Sequence, residues 1–254
     1  MRIAEWKERY GLIVIEDKTH SLFTAKLTVG DYGIASLRKW FPAPDGGVLY
    51  TKEAHLLPGQ PRRKKPAFGK VEAMLLKHLY LTENYDCNEK YRELFAREEE
   101  AFDRQTEVCG MSDVARFLLD HFSVEQMCER RRKNAAQLEE GLRGMGMCEP
   151  ALSGVPQPAL AARGIVPAAA FGSADVPLAF PVYVEKRDEL RERLIRRRIY
   201  CAVHWPIGHA TVYEETERIG RHILSLPIDQ RYGEREMEYL LECVRICGKE
   251  SKAL

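Results

Sequence analysis

Two stretches near the start of the chain put reactive side chains where the backbone would gather them. EDKTHS (residues 16–21) follows the apolar run 12–15 and delivers Asp17, Thr19 and His20 where a strand should be ending. SLRKWFPAPDGG (residues 36–47) delivers Ser36 and Lys39, then Gly46 and Gly47 ahead of a second strand-like run, 48–51. A lysine amine can attack a carbonyl and form an imine, and a carboxylate can keep a ring nitrogen protonated; Asp17 and Lys39 held together would offer both. An acid just past the carboxyl end of a buried strand also stands where open α/β sheets gather ligands. Each residue has a plainer reading too. Asp17 could cap a turn, His20 could be a buried, backbone-bonded histidine, and Lys39 could be a surface lysine in a proline-rich loop.

The elements that must position them read as follows. Residues 2–10 look like the end of a helix broken by Gly11, and residues 12–15 like a buried strand. A short strand is expected over 32–36, and Pro42 and Pro44 keep the segment after Lys39 out of helix or central strand. Residues 70–102 are largely helical. Ser112 caps a helix carrying Val114, Phe117, Leu118 and Phe122, and a further helix over 123–145 carries ERRRKN, whose cations 130–133 read as a solvated face. The run 62–65, between Pro61 and Pro66, reads as a solvated linker. Residues 149–174, rich in Pro, Ala, Gly and Ser, read as a long connection. Strand and helix then alternate: strand 178–184, helix 187–198, strand 199–203, helix 212–222, strand 223–227 and helix 234–247.

Composition narrows the class. With 254 residues the chain can bury a real core, and 39 basic against 38 acidic residues leave a net charge of +1, so no global positive excess points to nucleic acid. Seven scattered cysteines form no metal-ligand pattern, Cys243 and Cys247 lacking a second pair; reduced thiols in a cytoplasmic protein fit better. No run is long and apolar enough to span a membrane.

Taken in order, EDKTHS and SLRKWFPAPDGG resemble the DegT/StrS sugar aminotransferases, a branch of the pyridoxal-phosphate enzymes of the aspartate aminotransferase fold. The resemblance continues through ERRRKN, LAFPVYV, IYCAVHWP and LSLPIDQRY, nearly the whole chain. It implies an α/β fold: an incomplete fold type I large domain (1–122, the C-terminal portion of the cofactor-binding domain) followed by a small α+β domain (123–254). It also implies pyridoxal 5'-phosphate as cofactor, held through Lys39, with Asp17 on the ring nitrogen, His20 near the phenolic oxygen and Thr19 beneath the ring. Many relatives carry the phosphate-binding serine five residues before the lysine, where this chain has Ile34; Ser36, three before, matches the wider aspartate aminotransferase group. Arg38 either neutralises phosphate or faces solvent. His204 and Trp205, after the 199–203 strand, stand where the family contacts substrate, a structural role being the alternative for His204.

The resemblance further implies an amino acid donor, a keto-sugar or nucleotide-linked keto-sugar acceptor, and a homodimer. Relatives are longer, and the part that supplies the phosphate-binding turn and the ring-stacking aromatic has no counterpart here. The expectations are therefore a gene fragment or misplaced start, a split enzyme with a separately encoded N-terminal half, or a degenerate, non-catalytic relative. Dehydratases of this fold carry histidine in place of the lysine, and Lys39 argues against them.

Overall fold

The computed structural model describes residues 2–24, 29–51, 57–61, 63–146, 165–168, 171–204 and 214–250, and divides into two compact units, Met1–Phe122 and Ser123–Leu254.

The N-terminal unit opens with α1 (Arg2–Tyr10), ended by Gly11 at φ +61°, a left-handed conformation that glycine adopts without strain. The Leu12 N–H returns to the Lys7 carbonyl at 3.1 Å and closes the helix end. A three-stranded sheet follows in the order β1 (Ile15–Asp17), β2 (Tyr32–Ser36), β3 (Gly47–Thr51). β1 runs parallel to β2, with Asp17 opposite Ile34; β3 is antiparallel to β2, with Gly47 opposite Ser36. The buried strand expected over 12–15 is a correction on two counts. Regular pairing starts only at Ile15, because the Val14 N–H goes to the Asp31 carboxylate at 2.9 Å and not into the ladder. Nor is the run buried: Leu12, Ile13 and Ile15 are 46%, 75% and 59% exposed.

Beyond β3, α2 (Phe68–Thr82) and α3 (Asn88–Asp103) pack as a hairpin, with Tyr80 and Tyr91 ring centroids 5.7 Å apart. α4 (Asp113–Asp120) is capped by Ser112, whose hydroxyl accepts from the Ala115 N–H at 3.2 Å. Ser112 is itself held by Asp45, so the PAPDGG loop is tied to the start of α4. Around the loop, Phe23, Trp40, Phe41 and Phe122 form a chain of edge-to-face contacts.

The C-terminal unit is built on α5 (Val124–Gly144), the antiparallel sheet β4 (Ile165–Pro167), β5 (Phe180–Val184) and β6 (Ile223–Leu226), with α6 (Arg187–Arg196), α7 (Glu214–His222) and α8 (Glu234–Glu250). Its core joins Leu138 and Leu142 of α5, Phe180, Val182 and Val184 of β5, Leu190 and Leu194 of α6, and Met237, Leu240 and Val244 of α8. β4 lies within the stretch expected to be a connection, most of which is outside the described residues. The expected 199–203 strand is reduced to one bridge, Ala202 to Ser225, at the free edge of β6.

The solvated reading of the ERRRKN face holds for Arg130, Arg132 and Lys133, which are exposed, and is corrected for Arg131. Arg131 is 2% and Asn134 1% exposed. Arg131 donates to Gln230 and to the carbonyls of Pro177 and Leu178, while the Asn134 amide reaches the carbonyls of Ile228, Asp229 and Tyr232. One turn of α5 thereby organises the loop between β6 and α8, because buried carbonyls outside a ladder need donors. Helical periodicity places every third or fourth charge inward; nothing in a run of like charges says which one.

Asp229 sits in this loop with a two-pronged ion pair to Arg231, at 2.7 and 2.9 Å. Burial alone would raise its carboxyl, but the Arg231 hydrogen bonds and charge, with Arg131 behind them, hold it below the usual range. A carboxyl lowered by folding stabilises above its unfolded pKa, near 4, and that contribution is lost as pH falls through the lower folded value. The unit should therefore lose stability below about pH 4. Urea unfolding of Asp229→Asn across pH 2–6 should show lower stability at pH 6 and a shallower acid limb; an unchanged limb would remove Asp229 from the effect.

Candidate cofactor site

In the N-terminal unit the residues singled out at the end of β1 and around the 3-10 turn Leu37–Lys39 come together, and they do so through Thr19. The Thr19 N–H donates to Asp17 Oδ1 at 2.8 Å, closing a tight turn past the strand end. Thr19 Oγ1 accepts from the Ser36 N–H at 3.1 Å. Its carbonyl accepts from the indole Nε1 of Trp40 at 2.7 Å. Ser36 and Trp40 bracket Lys39, so the acid and the lysine hang from the same residue. The hydrogen bonds from Thr19, side chain first and then backbone, hold the Asp17 carboxyl below the usual range; slight burial opposes them and the nearby His20 adds to them.

The Lys39 turn is rigid on both sides. Trp40 N–H and Phe41 N–H both return to the Leu37 carbonyl at 3.0 Å, and the Leu37 N–H donates to the Gly46 carbonyl at 3.1 Å. Gly46 lies at φ +114°, where a side chain would be strained, and a Cβ there would press on Met111 at 3.3 Å. Lys39 itself is exposed, and among the described residues its amine has no hydrogen-bond or ion-pair partner. The Ser36 hydroxyl does not cap the turn it precedes.

Arg38 is decided by its surroundings. It pairs with Glu99 of α3 at 2.6 Å and lies over the Phe102 ring at 5.4 Å, and Glu99 is shared with Lys70. A guanidinium so engaged is less available to neutralise a phosphate. His204 belongs to the C-terminal unit, where its Nδ1 is 2.9 Å from the buried Ser225 Oγ; Trp205 lies outside the described residues. Trp40 was missed as a site residue. Its only signal was position, a large aromatic directly after the lysine and before two prolines, and its burial to 1% exposure is a tertiary fact.

The donor set suits pyridoxal phosphate at two of its three demands. An ionised carboxylate fits a protonated pyridine nitrogen, and an exposed lysine amine fits the carbonyl. For the phosphate, Ser36 and the Gly46–Gly47 backbone are the groups at hand. No group of three His, Cys, Asp or Glu side chains that could hold a metal occurs among the described residues, and no helix among them is long and apolar enough to cross a membrane.

An α/β unit with this strand-end site, joined to a small α+β unit, has the fold of the pyridoxal-phosphate aminotransferases. Solved structures share this fold. A DegT DnrJ EryC1 StrS aminotransferase from Brucella abortus matches 97% of this chain at 18% identity and a TM-score of 0.56, over 60% of its own length. A Streptococcus pneumoniae protein solved in its PLP form matches 98% at 16% identity and a TM-score of 0.57, again over 60% of its length. DesI, solved with its TDP-sugar product, matches 97% at 17% identity and a TM-score of 0.56, over 58%. The chain thus has the fold of these proteins and spans about 60% of their length. No family model and no curated protein sequence matches it.

Proposed function

We propose that this chain is a pyridoxal-phosphate-dependent aminotransferase module that moves an amino group from an amino acid to a keto-sugar or nucleotide-linked keto-sugar. The observation that carries the reading is the suspension of Asp17 and the Lys39 turn from one residue, Thr19. Bound pyridoxal phosphate supplies an electron sink conjugated to the substrate carbon that loses its proton. The Asp17 carboxylate holds a proton on the pyridine nitrogen, and its depressed pKa keeps it ionised for that task. The Lys39 amine would hold the cofactor at its carbonyl and, as a base beside the substrate carbon, would take up and return the proton that carbon loses. His20 and the Ser36 hydroxyl orient the phenolic oxygen and the phosphate. His204 contacts substrate, with its ring oriented by Ser225. The acceptor class is suggested by the sugar-bound neighbour.

A second reading is favoured by one observation: Ile13, Ile15, Ile34 and Leu49, in and beside the β1–β2–β3 sheet, are exposed in a chain spanning about 60% of its neighbours. In that reading the chain is one part of a split enzyme, completed by a separately encoded half, or a non-catalytic fragment. Assembly of the complete site in a homodimer is the oligomeric form we propose.

The test is incubation with pyridoxal phosphate, borohydride reduction and peptide mass mapping. One reduced adduct should map to Lys39, with a visible absorption band that Lys39→Ala lacks. Labelling scattered over surface lysines, equal in the variant, would sink cofactor binding by this chain alone.

A further inference from the structure

Thr19 makes three hydrogen bonds that serve two different segments. Toward the acid, its N–H donates to Asp17 Oδ1 at 2.8 Å. Toward the lysine turn, its Oγ1 takes the Ser36 N–H at 3.1 Å and its carbonyl takes the Trp40 indole N–H at 2.7 Å. A threonine hydroxyl oxygen can accept, and here a lone pair is committed to the Ser36 N–H. Trp40 is a firm anchor: it is 1% exposed and stands edge-on to Phe23 at 5.1 Å, and its N–H closes the Leu37–Lys39 turn. The position of Lys39, three residues after Ser36 and one before Trp40, follows from these two attachments.

We propose that Thr19 is a positioning residue whose hydroxyl sets the separation of the Asp17 carboxylate from the Lys39 amine. This rests on the reading of those two groups as the partners of a cofactor's ring nitrogen and carbonyl. It assigns Thr19 a task different from packing beneath the ring, because the hydroxyl is engaged by the Ser36 N–H. Because Asp17 lies on a strand end and Lys39 on a separate turn, neither segment alone fixes their spacing. A bridge between them converts two local structures into one site, which catalysis by positioned groups requires.

Two substitutions in the full chain separate the tasks. Thr19→Val keeps the shape and removes the hydroxyl; Thr19→Ser keeps the hydroxyl and removes the methyl. The Asp17 carboxyl is followed by 13C NMR through a pH titration, and the Ser36 amide by hydrogen exchange, both without cofactor. Thr19→Val should move the Asp17 midpoint up toward the ordinary carboxylate value and speed Ser36 exchange roughly tenfold, the size of one lost hydrogen bond. Thr19→Ser should hold both near the parent. With pyridoxal phosphate, the reducible adduct at Lys39 should form roughly tenfold more slowly in Thr19→Val and within about twofold of the parent in Thr19→Ser. The reverse order, Val tolerated and Ser impaired in these readouts, would overturn the proposal in favour of packing. If the parent chain forms no adduct, the cofactor reading fails, while the titration and exchange measurements still decide the role of Thr19.

Discussion

Arg131→Ala is expected to destabilise the C-terminal unit by about 3–5 kcal/mol, seen as a large fall in the urea midpoint of its unfolding. The side chain is 2% exposed, and it reaches Gln230 Oε1 at 2.9 Å and the Leu178 carbonyl at 2.8 Å, with Pro177 at 3.3 Å. Burial pushes its guanidinium down to about 10, with Asp229 pulling the other way, so it stays charged at neutral pH. Alanine would leave these acceptors without their donor and open a cavity between α5 and the loop leading into β5. Lysine would keep the charge but present a single point of donation where a planar fork now reaches three acceptors. The control is Lys133→Ala in the same helix: that side chain is 65% exposed and paired with the exposed Glu129, so its midpoint should stay with the parent. Equal effects from the two substitutions would remove the case for a buried guanidinium.

The second large effect is expected at Trp40. Trp40→Ala should cost about 3–5 kcal/mol from lost burial and the cavity left beside Phe23, and it should also abolish the Lys39 adduct, because the turn loses its attachment to Thr19. Trp40→Phe separates these contributions. A phenyl ring retains most of the packing and drops only the 2.7 Å indole bond to the Thr19 carbonyl, so stability should fall by about 0.5–1.5 kcal/mol. Adduct formation should slow more than that loss of stability would explain. If Trp40→Ala still labelled Lys39 at the parent rate, the turn would not depend on this anchor.

Much of the local architecture was legible. Ser112 announces α4 by the side chain that caps it, β2 ends where the sequence changes to SLRK, and Gly46–Gly47 mark the turn into β3. These features depend on interactions within a few residues, which short-range chemistry reports directly. The state of residues 12–15 was not legible, because an apolar run specifies a wish to be covered and not the presence of a cover. The burial of Arg131 was equally hidden, since its acceptors lie 46 to 99 residues away in the chain.

The candidate site divides along the same line. Residue types and order alone determined that an acid, a small hydroxyl residue and a histidine lie at and just past one strand end while a lysine opens the loop after another, and raised the expectation of one kind of chemistry. Only the tertiary structure decided that Thr19 joins the two segments, that Trp40 anchors the lysine turn, and that Arg38 is committed to Glu99. The reason is physical: residue type is a local property, but a hydroxyl's partners depend on which distant donors and acceptors the fold brings within 3 Å, and that distance is set by packing.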